Sequence, residues 1–298
     1  MHLFHRNLDP SLAQTRRATV HDITAISRLL RSSNRRYLSL HNLDLYQLLE
    51  QTPAMVLATS TDIWGAVFAG PPNNGVTWLR TLTLVNNLSV QAGISKLLPP
   101  FHEALRDQGV QHLYYGGDEL ADRWLLPALS NIGYQPDTTV VVYEKRGLDI
   151  PSEGNPHAQI RRAQLGDLKT LIAIDQSSFD PQWHKEVGII GPALLESPYF
   201  IIAELNGEIA GYAFITSHFG GRLIHLVRIA VMPAYRNQAV GVRLLAEIVK
   251  YARNASAESI TLNTQLHNTT AQRLYSWFGF HRTGEQQTIL RFDCESAV

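Results

Sequence analysis

Along the chain, short runs with a two-residue apolar period alternate with longer runs of helical spacing, punctuated by Gly, Pro and Asn. The run LIHLVRIAV (Leu223–Val231) reads as a strand. The later run VRLLAEIVKYARN has helical spacing, with Leu244, Leu245, Ile248, Val249 and Ala252 on one face. Between them Pro233 stops the strand and Gly241 opens the helix. A strand, a turn and a helix N-terminus in that order aim free N–H groups and a positive dipole end at one spot, which suits an anion. Before this unit come the strand QIRRAQ, a helix entering near Asp167, the polar irregular stretch SSFDPQWHKEVGII and the helical turn PALLES. A hairpin follows, YFIIAEL-NGE-IAGYAFITS, whose Asn206-Gly207 predicts a type I′ turn. After it come the strand SITLNTQ, the helix NTTAQRLYSWFG and a closing strand QTILRF. The order predicts a mixed α/β sheet covered by helices on both faces. A ligand is then expected beyond the carboxyl ends of central strands, where neighbours diverge.

The same plan occurs twice, with a period near 145 residues. RRATVHDITAI matches RRAQLGDLKTL, GAVF matches GYAF, QAGISKLL matches QAVGVRLL, and SNIGY corresponds to SWFGF. The matches keep their order, so the chain is expected to hold two copies of one domain, at residues 14–147 and 157–298. The intervening RGLDIPSEGNPHAQ has the composition of an exposed linker.

Bulk composition narrows the class. With 45% hydrophobic and 17% charged residues in 298, the chain is an ordinary globular protein of one or two domains. Twenty-six basic and 26 acidic residues cancel, so neither nucleic acid nor membrane is an expected partner. Arg28, Arg31, Arg35 and Arg36 cluster in RLLRSSNRRYL, expected as a solvated helix face and its C-terminal end. The single cysteine, Cys294, excludes an internal disulfide framework and a Cys-based zinc site, and no metal is expected. MHLFHRNLDPSLAQ has no apolar core of a secretory signal, and no apolar run reaches the roughly 18 residues of a membrane span. A cytoplasmic monomer or homodimer is the expectation.

Two motifs in the C-terminal copy give it a family resemblance. Arg236-Asn237-Gln238-Ala239-Val240-Gly241, preceded by IAVMPAY, is similar to the strand–loop–helix signature Arg/Gln-x-x-Gly-x-Gly/Ala of the GNAT superfamily of N-acetyltransferases. The second motif, N-x-x-A-x-x-L-Y-x-x-x-G-F, is present in full as Asn268, Ala271, Leu274, Tyr275, Gly279 and Phe280. The resemblance covers residues 159–292 and implies two tandem GNAT-like α/β domains, each a mixed, mostly antiparallel sheet flanked by helices. It also implies transfer of an acetyl group from acetyl-CoA, as cosubstrate, to a primary amine of a small molecule or peptide. Tandem chains of this kind include enzymes acetylating amino-sugar thiol precursors, such as mycothiol synthase, although no residue here fixes such a substrate.

By resemblance, Ile229, Ala230 and Val231 bond the pantetheine arm and thioester through their backbone. Arg236, Asn237, Gln238, Ala239, Val240, Gly241 and Val242 hold the pyrophosphate, Asn268 steadies the coenzyme or the following helix, and Tyr275 is the acid for the leaving thiolate. Ala239 departs from the family's first glycine, a change that costs little if its φ is negative. His225 falls where many relatives place a carboxylate base, and a regular strand would put residues 225, 227, 229 and 231 on one face. A structural histidine is the competing reading. The peptide-amine acetyltransferases use a glutamate on the next strand, where this chain has Asn263; Glu204 and His267 are weaker candidates. The N-terminal copy lacks the equipment: Gly93 aligns with Val240, Ile94 with Gly241, and Leu129 stands where Tyr275 does. It is expected to keep the fold without the catalysis. A non-catalytic acyl-CoA sensor is the rival from another class, and a Rossmann-type nucleotide binder is disfavoured because no Gly-rich turn follows the first strand.

Overall fold

The computed structural model describes residues 7–39, 44–185 and 187–295. The chain divides into two compact units, residues 1–138 with 287–298, and residues 139–286.

The first unit begins with β1 (Gln14–Arg17), α1 (Ile23–Ser32), β2 (Arg35–Leu38), α2 (Leu45–Gln51), β3 (Ala54–Ala58), β4 (Ile63–Ala69) and β5 (Val76–Leu84). Then come α3 (Val90–Arg106), β6 (His112–Gly116) and α4 (Glu119–Ser130). Strand β7 (Gln135–Lys145) carries the chain into the second unit. That unit contains β8 (Gln159–Arg162), α5 (Leu168–Ser178), α6 (Val187–Glu196), β9 (Phe200–Leu205), β10 (Glu208–His218) and β11 (Leu223–Val231). It continues with α7 (Val240–Asn254), β12 (Ser259–Gln265) and α8 (Thr269–Trp277), and β13 (His281–Asp293) returns the chain to the first.

Within the second unit the strand order is β8-β9-β10-β11-β12-β7, antiparallel throughout except for the β11–β12 pair. The first unit repeats it as β1-β3-β4-β5-β6-β13, with β5–β6 the parallel pair. The repeat therefore holds at the level of topology, and the expected fold class is observed. The ends differ from the contiguous boundaries 14–147 and 157–298. Residues 140–145 of β7 close the second sheet against β12, and residues 289–293 of β13 close the first against β6. Thus QTILRF does not complete the C-terminal copy. Each closing strand sends alternate residues into a core. Val141 and Tyr143 enter one core, Leu290 and Phe292 the other, so hydrophobic patterning is satisfied by the exchange.

The quoted repeats have physical counterparts. Arg16 grips Asp22 with two bonds of 2.8 Å, and Arg161 grips Asp167 at 2.8 and 2.9 Å. Each aspartate also accepts from the backbone N–H three residues before it, so the pair ties a strand end to a helix entry. Gly211, opening GYAF, has no room for a side chain: a Cβ would lie 2.5 Å from the Ala230 carbonyl oxygen. Asn206 and Gly207 have φ of 57° and 82°, the positive pair a type I′ turn requires. The buried face of α7 contains all five residues predicted, packed on the sheet with Val240 and Ala246. Leu171, Ile174 and Ile190 from α5 and α6 cover the opposite face against Phe200, Tyr212 and Phe214.

Two local expectations change. RLLRSSNRRYL is not one helix: α1 ends at Ser32, and Arg35 and Arg36 belong to β2. Arg35 donates to the Leu88 carbonyl and Arg36 to the Leu30 carbonyl, so these charges cap backbone rather than form a free patch. Helix α6 begins at Val187, earlier than PALLES, and contains Pro192. Among the described residues no helix is long and apolar enough to cross a membrane, and no cluster of metal-ligating side chains occurs.

Candidate active site

Strands β11 and β12 pair in register only from Leu223–Ser259 to Leu226–Leu262. At that point β11 carries a bulge: Phe214 of β10 faces Arg228 and Ile215 faces Leu226, leaving Val227 unmatched. Beyond the bulge β11 stays with β10 while β12 departs. The two strands open into a groove of about 690 Å³ in which residues 227–231 of β11 present a backbone edge not paired to β12.

The groove gathers most of the residues proposed from sequence. Ile229, Ala230, Val231, Arg236, Asn237, Ala239, Val240, Gly241, Val242, Asn268 and Tyr275 line it, and Gln238 and His225 do not. At one end the first helical bond of α7 runs from the Arg243 N–H to the Ala239 carbonyl at 3.0 Å. The amides of Val240, Gly241 and Val242 precede that bond and have no helical acceptor. A Cβ on Gly241 would meet the protein only at 3.6 Å or more, so its glycine keeps open the groove itself. Arg236 stands exposed at this rim. Partial positive charge and a guanidinium thus converge on one end of the groove, an arrangement suited to an anion.

Ala239 does not have the negative φ that would make it an easy replacement. Its φ is 55° and ψ 22°, in the left-handed region, and Asn237 has φ 62°. The loop keeps the glycine conformation although the glycine is gone.

Tyr275 lies on α8 at 5% exposure, with its ring 6.1 Å from that of Tyr143 and 6.0 Å from that of Phe280. Burial pushes its phenol up to about 12 against a smaller opposing pull from Arg228. The phenol therefore holds its proton through the neutral range. Asn268 caps α8 through Oδ1, which accepts from the Ala271 N–H at 3.2 Å. In the first unit Asp118 caps α4 in the same way, from Ala121 at 2.7 Å.

The bulge displaces His225 from its expected alignment. Ile224, Leu226, Ile229 and Val231 all meet the α7-side core, whereas Val227 and Ala230 meet the opposite one. The extra residue shifts the alternation, so His225 shares a face with Ala230 rather than with Ile229 and Val231. Its Nδ1 lies 2.9 Å from Thr261 Oγ1, and burial, with His218 and Lys185 acting in the same sense, lowers its pKa. Glu204 is taken by Arg161 at 2.8 Å. Neither it nor His267 lines the groove, while Asn263 does.

A buried charge pair that sequence reading missed fixes the loop beside the groove. Asp175 of α5, fully buried, receives Nε and Nη2 of Arg228 at 2.8 and 2.9 Å, the Tyr212 hydroxyl at 2.5 Å and the Lys185 N–H at 2.7 Å. Arg228 also donates to the Trp183 carbonyl at 2.7 Å and lies 3.3 Å above the Phe179 ring. The polar stretch after α5 is thereby pinned to β11. A signal existed in sequence: Asp175 and Arg228 are opposite charges set inside apolar runs, and a buried charge needs a partner.

In the first unit the equivalent groove is filled. Leu84 matches Val231, since each faces the glycine of GAVF or GYAF. Pairing of β5 with β6 ends at Trp78–Tyr114, and β2 then pairs with β5 over Thr81–Leu84, the positions equivalent to 228–231. Because β4 holds the other edge of β5, β2 occupies the edge that the second unit leaves open. Tyr37 of β2 donates to the Gly116 carbonyl at 3.0 Å, anchoring the plug across the opening.

Residues 168–280 match the family model described as Acetyltransferase (GNAT) family. A Bacillus subtilis (strain 168) protein bearing the name of a candidate ribosomal protein bS18-alanine N-acetyltransferase is 30% identical over 143 residues, 47% of this chain and 92% of that protein. The chain belongs to the GNAT acetyltransferase family. An N-alpha-acetyltransferase of Sulfolobus acidocaldarius is 29% identical over 133 residues of this GNAT chain, covering 41% of it and 79% of the relative. A solved tandem GNAT protein from the clavulanic acid biosynthesis pathway matches in fold at TM-score 0.58 and 9% identity, over 95% of this chain and 98% of that one.

The conformation of Ala239 generates a stability prediction. A left-handed alanine costs about 1–2 kcal/mol, and glycine loses about 0.4–1 kcal/mol through unfolded-chain entropy. Ala239→Gly is therefore expected to raise stability by about 0.5–1 kcal/mol in denaturant unfolding. A neutral or destabilising change would show that the loop carries no strain at this position.

Proposed function

We propose that the protein is an acetyl-CoA-dependent N-acetyltransferase that moves the acetyl group directly to a primary amine in the second unit. The observation that carries this reading is the groove between β11 and β12, with an N–H cradle at one end and a protonated, buried tyrosine along its wall. The cradle amides and Arg236 take the pyrophosphate. The free edge of residues 227–231 offers β-type hydrogen bonds to the pantetheine arm and polarises the thioester carbonyl. As the amine nitrogen bonds to the acetyl carbon, the carbon–sulfur bond breaks, the departing sulfur takes the Tyr275 proton, and the phenolate is reprotonated from solvent.

The amine proton has no carboxylate or imidazole to receive it among the described groove residues. Water accepts it instead, and an acceptor that arrives neutral is favoured. Near pH 7.5 an α-amine of pKa about 7.7–8.0 is roughly one-third neutral, whereas a lysine ε-amine of about 10.4 is neutral in only about one molecule per thousand.

Three outcomes follow. Calorimetry with coenzyme A is expected to give one equivalent per chain, because β2 occupies the first unit's groove; two equal sites would contradict the plug. Tyr275→Phe should lower kcat on the order of 10²–10⁴-fold while coenzyme A affinity stays within about twofold. Full activity in that variant would reduce Tyr275 to a packing residue, and affinity without amine-dependent thiol release in the unaltered protein would favour a sensor. Finally, at pH 7.5 kcat/KM for a peptide α-amine should exceed that for a lysine ε-amine by about 100-fold or more, narrowing as pH rises. Preference for the ε-amine would reveal a proton acceptor beyond water.

A further inference from the structure

The segment between β7 and β8, expected as an exposed linker, is attached to the cradle. Leu148 and Ile150 pack on the core of the second unit, and Ala158 is buried in it. Between them Asn155 makes two bonds to the loop before α7. Its Nδ2 donates to the Gln238 carbonyl at 2.8 Å, and its backbone N–H donates to the Ala239 carbonyl at 3.2 Å. The Asn155 Oδ1 accepts from the His157 N–H at 2.8 Å, which orients the side-chain amide with Nδ2 toward the loop. Gly154, with φ 74°, seats the strap: a Cβ there would lie 2.3 Å from the Arg243 nitrogen and 2.9 Å from the Ala239 oxygen. No bulkier residue fits without moving the strap off the helix start.

A trans peptide is planar, so the carbonyl of one residue and the N–H of the next point in opposite directions. Holding the Gln238 and Ala239 carbonyls toward Asn155 therefore aims the N–H groups of Ala239 and Val240 away from it. Both residues line the groove. The same two bonds also brace Ala239 in its left-handed conformation, which without support would relax toward negative φ and rotate the amides. We propose that Asn155 is a positioning residue for the coenzyme: it acts through the backbone of residues 238–240 to orient the amides that bind the pyrophosphate. The proposal rests on the acetyl-CoA reading of the groove.

The test uses the full chain, Asn155→Asp and Asn155→Ala, with two probes. Coenzyme A affinity is measured by calorimetry, and turnover is compared between acetyl-CoA and S-acetylpantetheine, which lacks the pyrophosphate. Asn155→Asp keeps the size and the bond from His157 but sets a carboxylate oxygen against the Gln238 carbonyl. It should raise the coenzyme A Kd by about 10–100-fold, and Asn155→Ala by about tenfold. At saturating acetyl-CoA, kcat should stay within about twofold, and kcat/KM for S-acetylpantetheine should be unchanged. A Kd within twofold of the unaltered protein in both variants would overturn the role of Asn155. An equal loss with S-acetylpantetheine would also overturn it, by showing a general loosening of the fold. If the unaltered chain fails to bind coenzyme A, the acetyl-CoA reading falls and takes this role with it; binding that the variants leave intact removes the role of Asn155 alone.

Discussion

The second unit depends on a single unmatched residue, Val227. Up to Leu226 the parallel pair β11–β12 is ordinary sheet, and a closed sheet would leave no space between its strands. The bulge bends β11 toward β10, and with β12 turning away the backbone of residues 227–231 loses its partner on one edge. An unpaired edge buried in protein would be costly, whereas an edge facing a groove can bond a ligand or water. The loop and helix that follow β11 then fall at the mouth of the groove, so one irregularity places the binding edge and the anion cradle on the same line. The bulge also puts the Arg228 guanidinium on Asp175, which ties the loop after α5 to the groove wall.

The first unit shows what the same architecture does when that edge is not left for a ligand. Its β5 and β6 also part company, after Trp78 and Tyr114, and the freed edge is satisfied internally by β2. The buried Ser33 hydroxyl donates to the Leu84 carbonyl, and the Thr81 hydroxyl donates to the Tyr37 carbonyl, so the plug is held by side chains as well as by the ladder. With Ser89 opposite Arg236 in the QAGISKLL/QAVGVRLL match and the buried Leu129 opposite Tyr275, this unit carries neither side chain at its filled groove.

Much of this was legible in the sequence because period, turn chemistry and repeat all pointed the same way. The apolar face of α7, the Asn206-Gly207 turn and the helix entry near Asp167 are local consequences of local residues, and they stand where the pattern put them. What escaped was non-local or one residue wide. Strand alternation assigns His225 to the face of Ile229 only if no bulge intervenes, and nothing in LIHLVRIAV marks Val227 as extra. The strand at Arg35–Leu38 reads as a helix end because its register depends on an edge of β5 distant in sequence. Ala239 is misjudged for the opposite reason: the loop's conformation is imposed by its surroundings, Asn155 among them, rather than chosen by the residue that occupies it.

The exchange of closing strands bears on why a copy without catalytic equipment would remain. Residues 140–145 come from the end of the first repeat, yet Val141 and Tyr143 are buried in the core that contains Tyr275. The Tyr143 hydroxyl donates to Gln272 Oε1 on α8, the helix that carries Tyr275. Cutting the chain at the apparent linker would remove this strand from the second unit's sheet and expose the outer edge of β12. It would also detach residues 148–155, which brace the start of α7. The last strand of the first repeat therefore serves the second unit's sheet and cannot be removed without opening it.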